Sequence, residues 1–186
     1  AFMLGTLIGY AKSEMNSNNN VSVLDAKKVK VEFKDAKLGN TLIIKNEDDV
    51  KLHSEEISQN GNFSRVFDLS SLKNGKYSIE LHKDFEIRVE SFLIEENQVI
   101  YSEDSEQIIF KPIVRNEENL LFISKISFDK KPLMVSLYYD NDLIYSETVT
   151  GDTILNRVYK LDKEVKGDYR VILYCNDKDY IHNFKI

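Results

Sequence analysis

Three histidines, a single cysteine and three short acidic runs are the side chains of this 186-residue chain best equipped for chemistry. His53, His82 and His182 stand far apart in sequence. No two of them share the spacing that places a pair of imidazoles on one metal, and a zinc site needs three or four ligands. They read as exposed or edge-strand residues. Cys175 falls in step with Tyr169, Val171 and Leu173 in a two-residue alternation. It therefore reads as a small buried apolar group, with no basic cluster nearby to make a thiolate. No Gly-x-Ser-x-Gly, phosphate-cradling glycine loop or dinucleotide fingerprint is present. The acidic runs are Glu47-Asp48-Asp49, Asp140-Asn141-Asp142 and Asp177-Lys178-Asp179. Calcium needs about six to eight oxygens converging from several loops. None of the runs has EF-hand spacing, and Asp and Asn are what tight turns use, so they read as turns. Carboxylate pairs of the glycosidase kind stay open as a distant alternative. No catalytic residue, metal or cofactor is assigned.

Tyrosine is distributed unevenly. Seven of the ten tyrosines fall in the second half, at 138, 139, 145, 159, 169, 174 and 180. On a strand starting at Tyr169, pleating sends Ile172 and Tyr174 to the face opposite Val171 and Leu173. If the strand 133–139 turns its other residues inward, Tyr138 lies on that same face. The first half carries Glu80 and His82 at the positions of Ile172 and Tyr174, as a solvated face would. An exposed Tyr/Ile patch marks a partner surface, because Tyr is favoured at interfaces and in sugar stacking. Tyr138, Ile172 and Tyr174 are therefore the candidate binding residues. Packing between domains and scattered exposure are the competing readings of the same three residues.

The elements that must hold these residues come from an internal repeat. A shift of 92 residues aligns 52–94 with 144–186 without a gap, and ten of the 43 positions are identical. They include Ser54/Ser146, Glu55/Glu147, Arg65/Arg157, Leu69/Leu161, Gly75/Gly167, Tyr77/Tyr169, Leu81/Leu173 and Phe92/Phe184. Two copies of one domain are expected. Period-two alternation in Val29–Phe33, 77–81 and 169–173 gives strands, and Asn-Gly, Asp-Asn and Asn-Asp steps separate them. No sustained 3.6-residue period appears. The expected fold is all-β, as two tandem immunoglobulin/fibronectin-III-like Greek-key sandwiches with about seven strands each. The first spans 21–95 and the second 106–186, with 96–105 as an acidic connector that Val99, Ile100 and Tyr101 stiffen. In each copy a Leu, a short loop and Gly-x-Tyr predict a tyrosine corner. There Tyr77 and Tyr169 bury their rings and bond back to the loop, and Gly75 and Gly167 permit the tight backbone.

Composition narrows the classes. With 42% hydrophobic and 11% aromatic residues the chain has material for cores, and 7 Gly and 2 Pro exclude linker character. A net charge of -6 without a basic stripe argues against nucleic acid. Residues 1–11 form an uncharged apolar run, shorter than the roughly 20 residues of a membrane span, ending in Gly9-Tyr10-Ala11. This predicts the remnant of a signal peptide cleaved after Ala11, with 12–20 as a flexible leader and no membrane span afterwards.

The apolar start, Asn-Thr-Leu-Ile-Ile-Lys at 40–45, Asp-Leu-Ser-Ser-Leu-Lys-Asn-Gly-Lys-Tyr-Ser-Ile-Glu-Leu at 68–81 and a closing Phe-x-Ile resemble small secreted immunoglobulin-like modules of Bacteroidota. In layout the second copy is also similar to the C-terminal sorting domains of the type IX secretion system, where Gly-x-Tyr precedes the last strands. The first resemblance implies a periplasmic, secreted or cell-surface module that binds a protein or glycan of the envelope without catalysis. The second implies a role in export. A hydrolase is the remaining class.

Overall fold

The computed structural model describes residues 20–101 and 105–186. The signal-segment reading lies outside those residues, as does the leader reading except at Asn20. Among the described residues the chain is all-β, and no helix is long and apolar enough to cross a membrane.

The first sandwich sets a sheet of β1 (Val21–Asp25), β2 (Lys28–Ala36) and β5 (Gly61–Asp68) against a larger one. The larger sheet runs β4 (Lys51–Glu56), β3 (Thr41–Asn46), β6 (Gly75–His82) and β7 (Glu86–Glu95). The second sandwich repeats the layout. β10 (Ile113–Glu117), β11 (Leu120–Ile126) and β14 (Ile154–Lys160) face β13 (Asp142–Val149), β12 (Leu133–Tyr139), β15 (Asp168–Cys175) and β16 (Lys178–Lys185). The two copies thus share seven strands in one order, the fibronectin-III-like Greek key, and the first adds two further strands on β7.

Alternation builds the two cores. In β2 the inward positions are Val29, Val31 and Phe33, and in β15 they are Tyr169, Val171, Leu173 and Cys175. Each set joins its own buried cluster, which is why two domains form rather than one. The hairpins at Glu96-Asn97, Asp140-Asn141 and Asn176-Asp177 carry positive φ at both central residues, the type I′ geometry that matches strand twist.

The repeated residues have repeated jobs. Glu55 on β4 pairs with Arg65 on β5, and Glu147 on β13 pairs with Arg157 on β14 at 3.3 Å. In both copies this ion pair joins the edge strands of opposite sheets and ties one side of the sandwich. The Leu69 amide donates to the Lys27 carbonyl at 2.8 Å, and the Leu161 amide donates to that of Asn119 at the same distance. At the tyrosine corners the Tyr77 hydroxyl donates to the Lys73 carbonyl at 2.9 Å and Tyr169 to Val165 at 3.0 Å. Each ring stacks on the closing Phe, Phe92 or Phe184, with centroids 5.5 Å apart. Gly167 has a steric reason to be glycine. Its φ is +157°, and a Cβ there would sit 2.7 Å from the Tyr139 ring.

Two boundaries differ from the sequence reading. Part of the expected connector and the start of the expected second domain belong to the first sheet: β8 (Gln98–Tyr101) and β9 (Gln107–Phe110) both pair with β7, so the second sandwich begins its strands at Ile113. Val99 is buried in the first core, and its amide donates to the Ala26 carbonyl at 2.7 Å, which closes the other side of the sandwich. Asn20 does not belong to a flexible leader. It is buried, and its side chain donates to Glu90 at 2.7 Å. Tyr101 donates to the same buried carboxylate at 2.6 Å and Ser105 at 3.3 Å, where β7 passes from β8 to β9. This polar set is invisible to periodicity because Glu90 occupies an inward position.

Candidate functional site

The candidate residues lie on the outer face of the β13-β12-β15-β16 sheet. Antiparallel register sets Met134 beside Tyr174, Ser136 beside Ile172 and Tyr138 beside Arg170. On the far side of β15, Ile181 stands beside Ile172 and Asp179 beside Tyr174. The structure therefore groups Ile172 and Tyr174 with two residues the sequence reading missed, Met134 and Ile181. Ile181 is 60% exposed, Met134 47% and Tyr174 41%. Three exposed side chains with large apolar surfaces thus surround a partly buried Ile172 on one stretch of sheet. Period two alone marks Met134 and Ile181 as outward. Their adjacency to Ile172 depends on strand order.

Tyr138 stands apart from the other two. The Arg170 guanidinium covers its ring, 4.9 Å from the centroid. Tyr138 borders a groove of about 400 Å³ at the Asp140-Asn141 hairpin, together with Asp168, Tyr169 and Lys185. The Tyr174 hydroxyl donates to Asp177 at 3.2 Å, which orients its ring at the sheet's end.

The equivalent face of the first sandwich is not solvated, contrary to expectation. Glu80 is only 5% exposed. Ile43, Ile87 and Val89 flank it on the same face, buried yet part of neither core. Lys45 lies 3.3 Å from the Glu80 carboxylate, and the His82 ring nitrogen lies 2.6 Å from it. Lys178 reaches across from the second sandwich to 3.6 Å, and Tyr180 lies near enough to sense the charge. Burial pushes the Glu80 carboxyl up, but His82, Lys178 and Lys45 together outweigh it and hold it at about 2. Phe110 and Phe128 also meet edge-to-face, with centroids 5.7 Å apart. The interdomain-packing reading of the tyrosine patch thus gives way to a different arrangement. The junction uses the outer face of the first sandwich and one end of the second, and it leaves the second outer face uncovered.

The remaining titratable groups have structural surroundings. His53 packs edge-on against Phe67 at 5.3 Å on edge strand β4. His182 stacks on Phe184 at 5.9 Å on edge strand β16, with Asn116 at 3.2 Å. His82, on interior strand β6, is the departure from the edge-strand expectation. Cys175 is buried; burial pushes its thiol up, with Lys125 a lesser opposing influence. Among the described residues no three His, Cys, Asp or Glu side chains gather where they could hold a metal. A wider groove of about 590 Å³ runs beside Tyr77, Leu93 and Ile100 on the first sandwich.

No family model matches this chain, and no curated protein does. Among solved structures, similarity is found to the BSP domain of a biofilm associated protein at 12% identity and a TM-score of 0.30. That match covers 87% of this chain, which spans 27% of the other. The human OSCAR ligand-binding domain matches at 8% identity and a TM-score of 0.25, covering 86% of this chain and 89% of that one. Drosophila OTK extracellular domains 3-5 match at 8% identity and a TM-score of 0.23, covering 89% and 96%.

Proposed function

We propose that this chain is a non-catalytic binding module, acting outside the cell or at its envelope, whose contact surface is the outer face of the second sandwich. One observation carries the reading. Two equivalent sheet faces exist, and the first is buried by a neighbouring domain while the second presents Met134, Tyr174 and Ile181 to solvent around a partly buried Ile172. Uncovered apolar area of this kind on a flat sheet is stabilised by a partner. Tyr174 and Tyr138 supply rigid rings with polar tips, suited to a protein surface or a sugar. The uncharged apolar run at 1–11 and the resemblance of 40–45 and 68–81 to secreted immunoglobulin-like modules support this location.

The test compares the wild type with a Tyr138→Ser, Ile172→Ser, Tyr174→Ser chain, shown by circular dichroism to be folded. Both are immobilised and exposed to envelope extract, to culture fluid and to a glycan array. The proposal expects a protein or glycan retained by the wild type and lost from the variant. Equal retention by both chains refutes the assignment of this face.

A further inference from the structure

The two sandwiches differ along one sheet edge. In the first, β8 lies against β7, with Val99 paired to Ile94 and Ile100 to Leu93. Val99 is buried in the first core, and the Ala26 carbonyl accepts from its amide at 2.7 Å. The strand equivalent to β7 is β16, displaced by the same 92 residues. Among the described residues β16 ends its sheet, with β15 on one side and no strand on the other. Its outer row of backbone N–H and C=O groups is a template for one more strand.

A cavity of about 440 Å³ marks the place. Glu118, Lys185 and Ile186 line it, at the positions where Ala26, Leu93 and Ile94 hold β8 in the first copy. Ile186 is half-buried against the second core. An apolar side chain entering beside it, as Val99 does beside Ile94, extends that core.

The lining also carries a different charge. Lys163, Lys166 and Lys185 stand where the first copy has Ser71, Asn74 and Leu93. Lys185 lies 3.0 Å from Asp168, and Glu118 contributes one carboxylate to the lining. Lys163 and Lys166 are exposed on the β14–β15 loop, where Asp162 is turned to the Glu164 amide at 3.0 Å. An acidic strand is complementary to this edge. The apolar pair of Leu93 with Ile100 becomes an ion pair of Lys185 with a carboxylate, whereas a basic strand would set like charges opposite each other.

We propose that the second sandwich accepts an acidic extended segment of a partner protein as an added antiparallel strand along β16. The segment places a β-branched apolar side chain in the cavity beside Ile186 and a carboxylate opposite Lys185. Further carboxylates, ahead of the apolar residue, reach Lys163 and Lys166. Backbone pairing supplies affinity, and the side chains select the sequence. This contact is a second one, along the sheet's edge, and does not depend on the outer face.

The probe is the fluorescein-labelled peptide Glu-Glu-Asn-Gln-Val-Glu-Tyr, the sequence of 95–101 with Glu where β8 has Ile100. Fluorescence anisotropy on the full chain is expected to show saturable binding that salt weakens. Two control peptides, one with Lys at each Glu and one with Asp in place of the Val, are expected not to bind. Lys163→Glu combined with Lys166→Glu should weaken the acidic peptide about tenfold and leave the circular dichroism unchanged. Amide hydrogen exchange should slow along 181–186 in the presence of the peptide, the mark of a paired strand rather than of surface attraction. The triple serine variant of the outer face should bind as the wild type does. An acidic peptide that does not bind overturns the proposal. So does equal binding of either control, unslowed exchange along β16, unchanged affinity in the double lysine variant, or loss of binding in the triple serine variant.

Discussion

Neutralising Glu80 tests whether the buried charge cluster couples the two sandwiches. The carboxylate has three basic neighbours, Lys45 at 3.3 Å, Lys178 at 3.6 Å and the His82 ring at 2.6 Å, and it is almost wholly removed from water. Its ordinary value of 4.5 falls to about 2 in the folded chain. A depressed carboxyl stabilises the fold fully above pH 4.5, and the contribution is lost as pH falls from there through about 2. At about 1.36 kcal/mol for each pH unit, the gap corresponds to about 3 kcal/mol. Glu80→Gln keeps the shape and removes the charge, leaving Lys45 with Asp49 alone at 2.8 Å. At pH 7 the variant is expected to lose about 3 kcal/mol, the range for breaking one partner out of a buried ion pair. Urea unfolding followed by circular dichroism at pH 7, 5, 3.5 and 2.5 reads the difference. Wild type and variant should converge below pH 4.5, because acid protonates the carboxyl that the variant lacks. A difference that holds constant down to pH 2.5, or none at pH 7, refutes the reasoning. Lys178→Met isolates the interdomain share. It should move the Glu80 carboxyl upward in a carbon-13 NMR titration, and an unmoved titration denies Lys178 a part in the cluster.

Three further outcomes follow from the packing. Gly167→Ala drives a Cβ into the Tyr139 ring, whereas a Cβ at Gly75 meets nothing nearer than 3.9 Å. Both carry positive φ, so the Gly167 change should cost about 1–3 kcal/mol more than the Gly75 change in urea unfolding. Tyr77→Phe and Tyr169→Phe each remove one hydroxyl bond to a loop carbonyl. Each should cost about 1 kcal/mol, with the two losses adding because the sites lie in separate cores. Cys175 is buried with its thiol pushed up, so a thiol reagent at pH 7.5 should label it only as fast as the second sandwich opens, and immediate labelling would contradict the packing.

Much of the fold is legible in the chain because its determinants are local or repeated. Two-residue alternation in β2, β6 and β15 sets which side chains face inward, and Asp-Asn and Asn-Asp steps fix the hairpins. The gap-free repeat announces two copies of one domain. It also singles out Glu55, Arg65 and their partners, whose role as a clamp between edge strands emerges only once the strands are placed. The outward parity of Ile172 and Tyr174 is likewise a local property.

What the linear pattern leaves undecided is whatever depends on a neighbour distant in sequence. Parity marks Glu80 as outward, and outward ordinarily means wet; only docking of the second sandwich makes it a buried charge. Glu90 shows the converse, an inward carboxylate kept by Asn20, Tyr101 and Ser105, from 11 to 70 residues away. The 96–105 segment reads as an acidic connector, but the free hydrogen-bonding edge of β7 takes up 98–101 from it as β8, and 107–110 beyond it as β9. The amino-acid order thus determined two β-sandwiches and the inside and outside of each, because pleating couples side-chain direction to position. Tertiary structure decided which outside became an inside, because burial of a sheet face depends on what another domain lays against it.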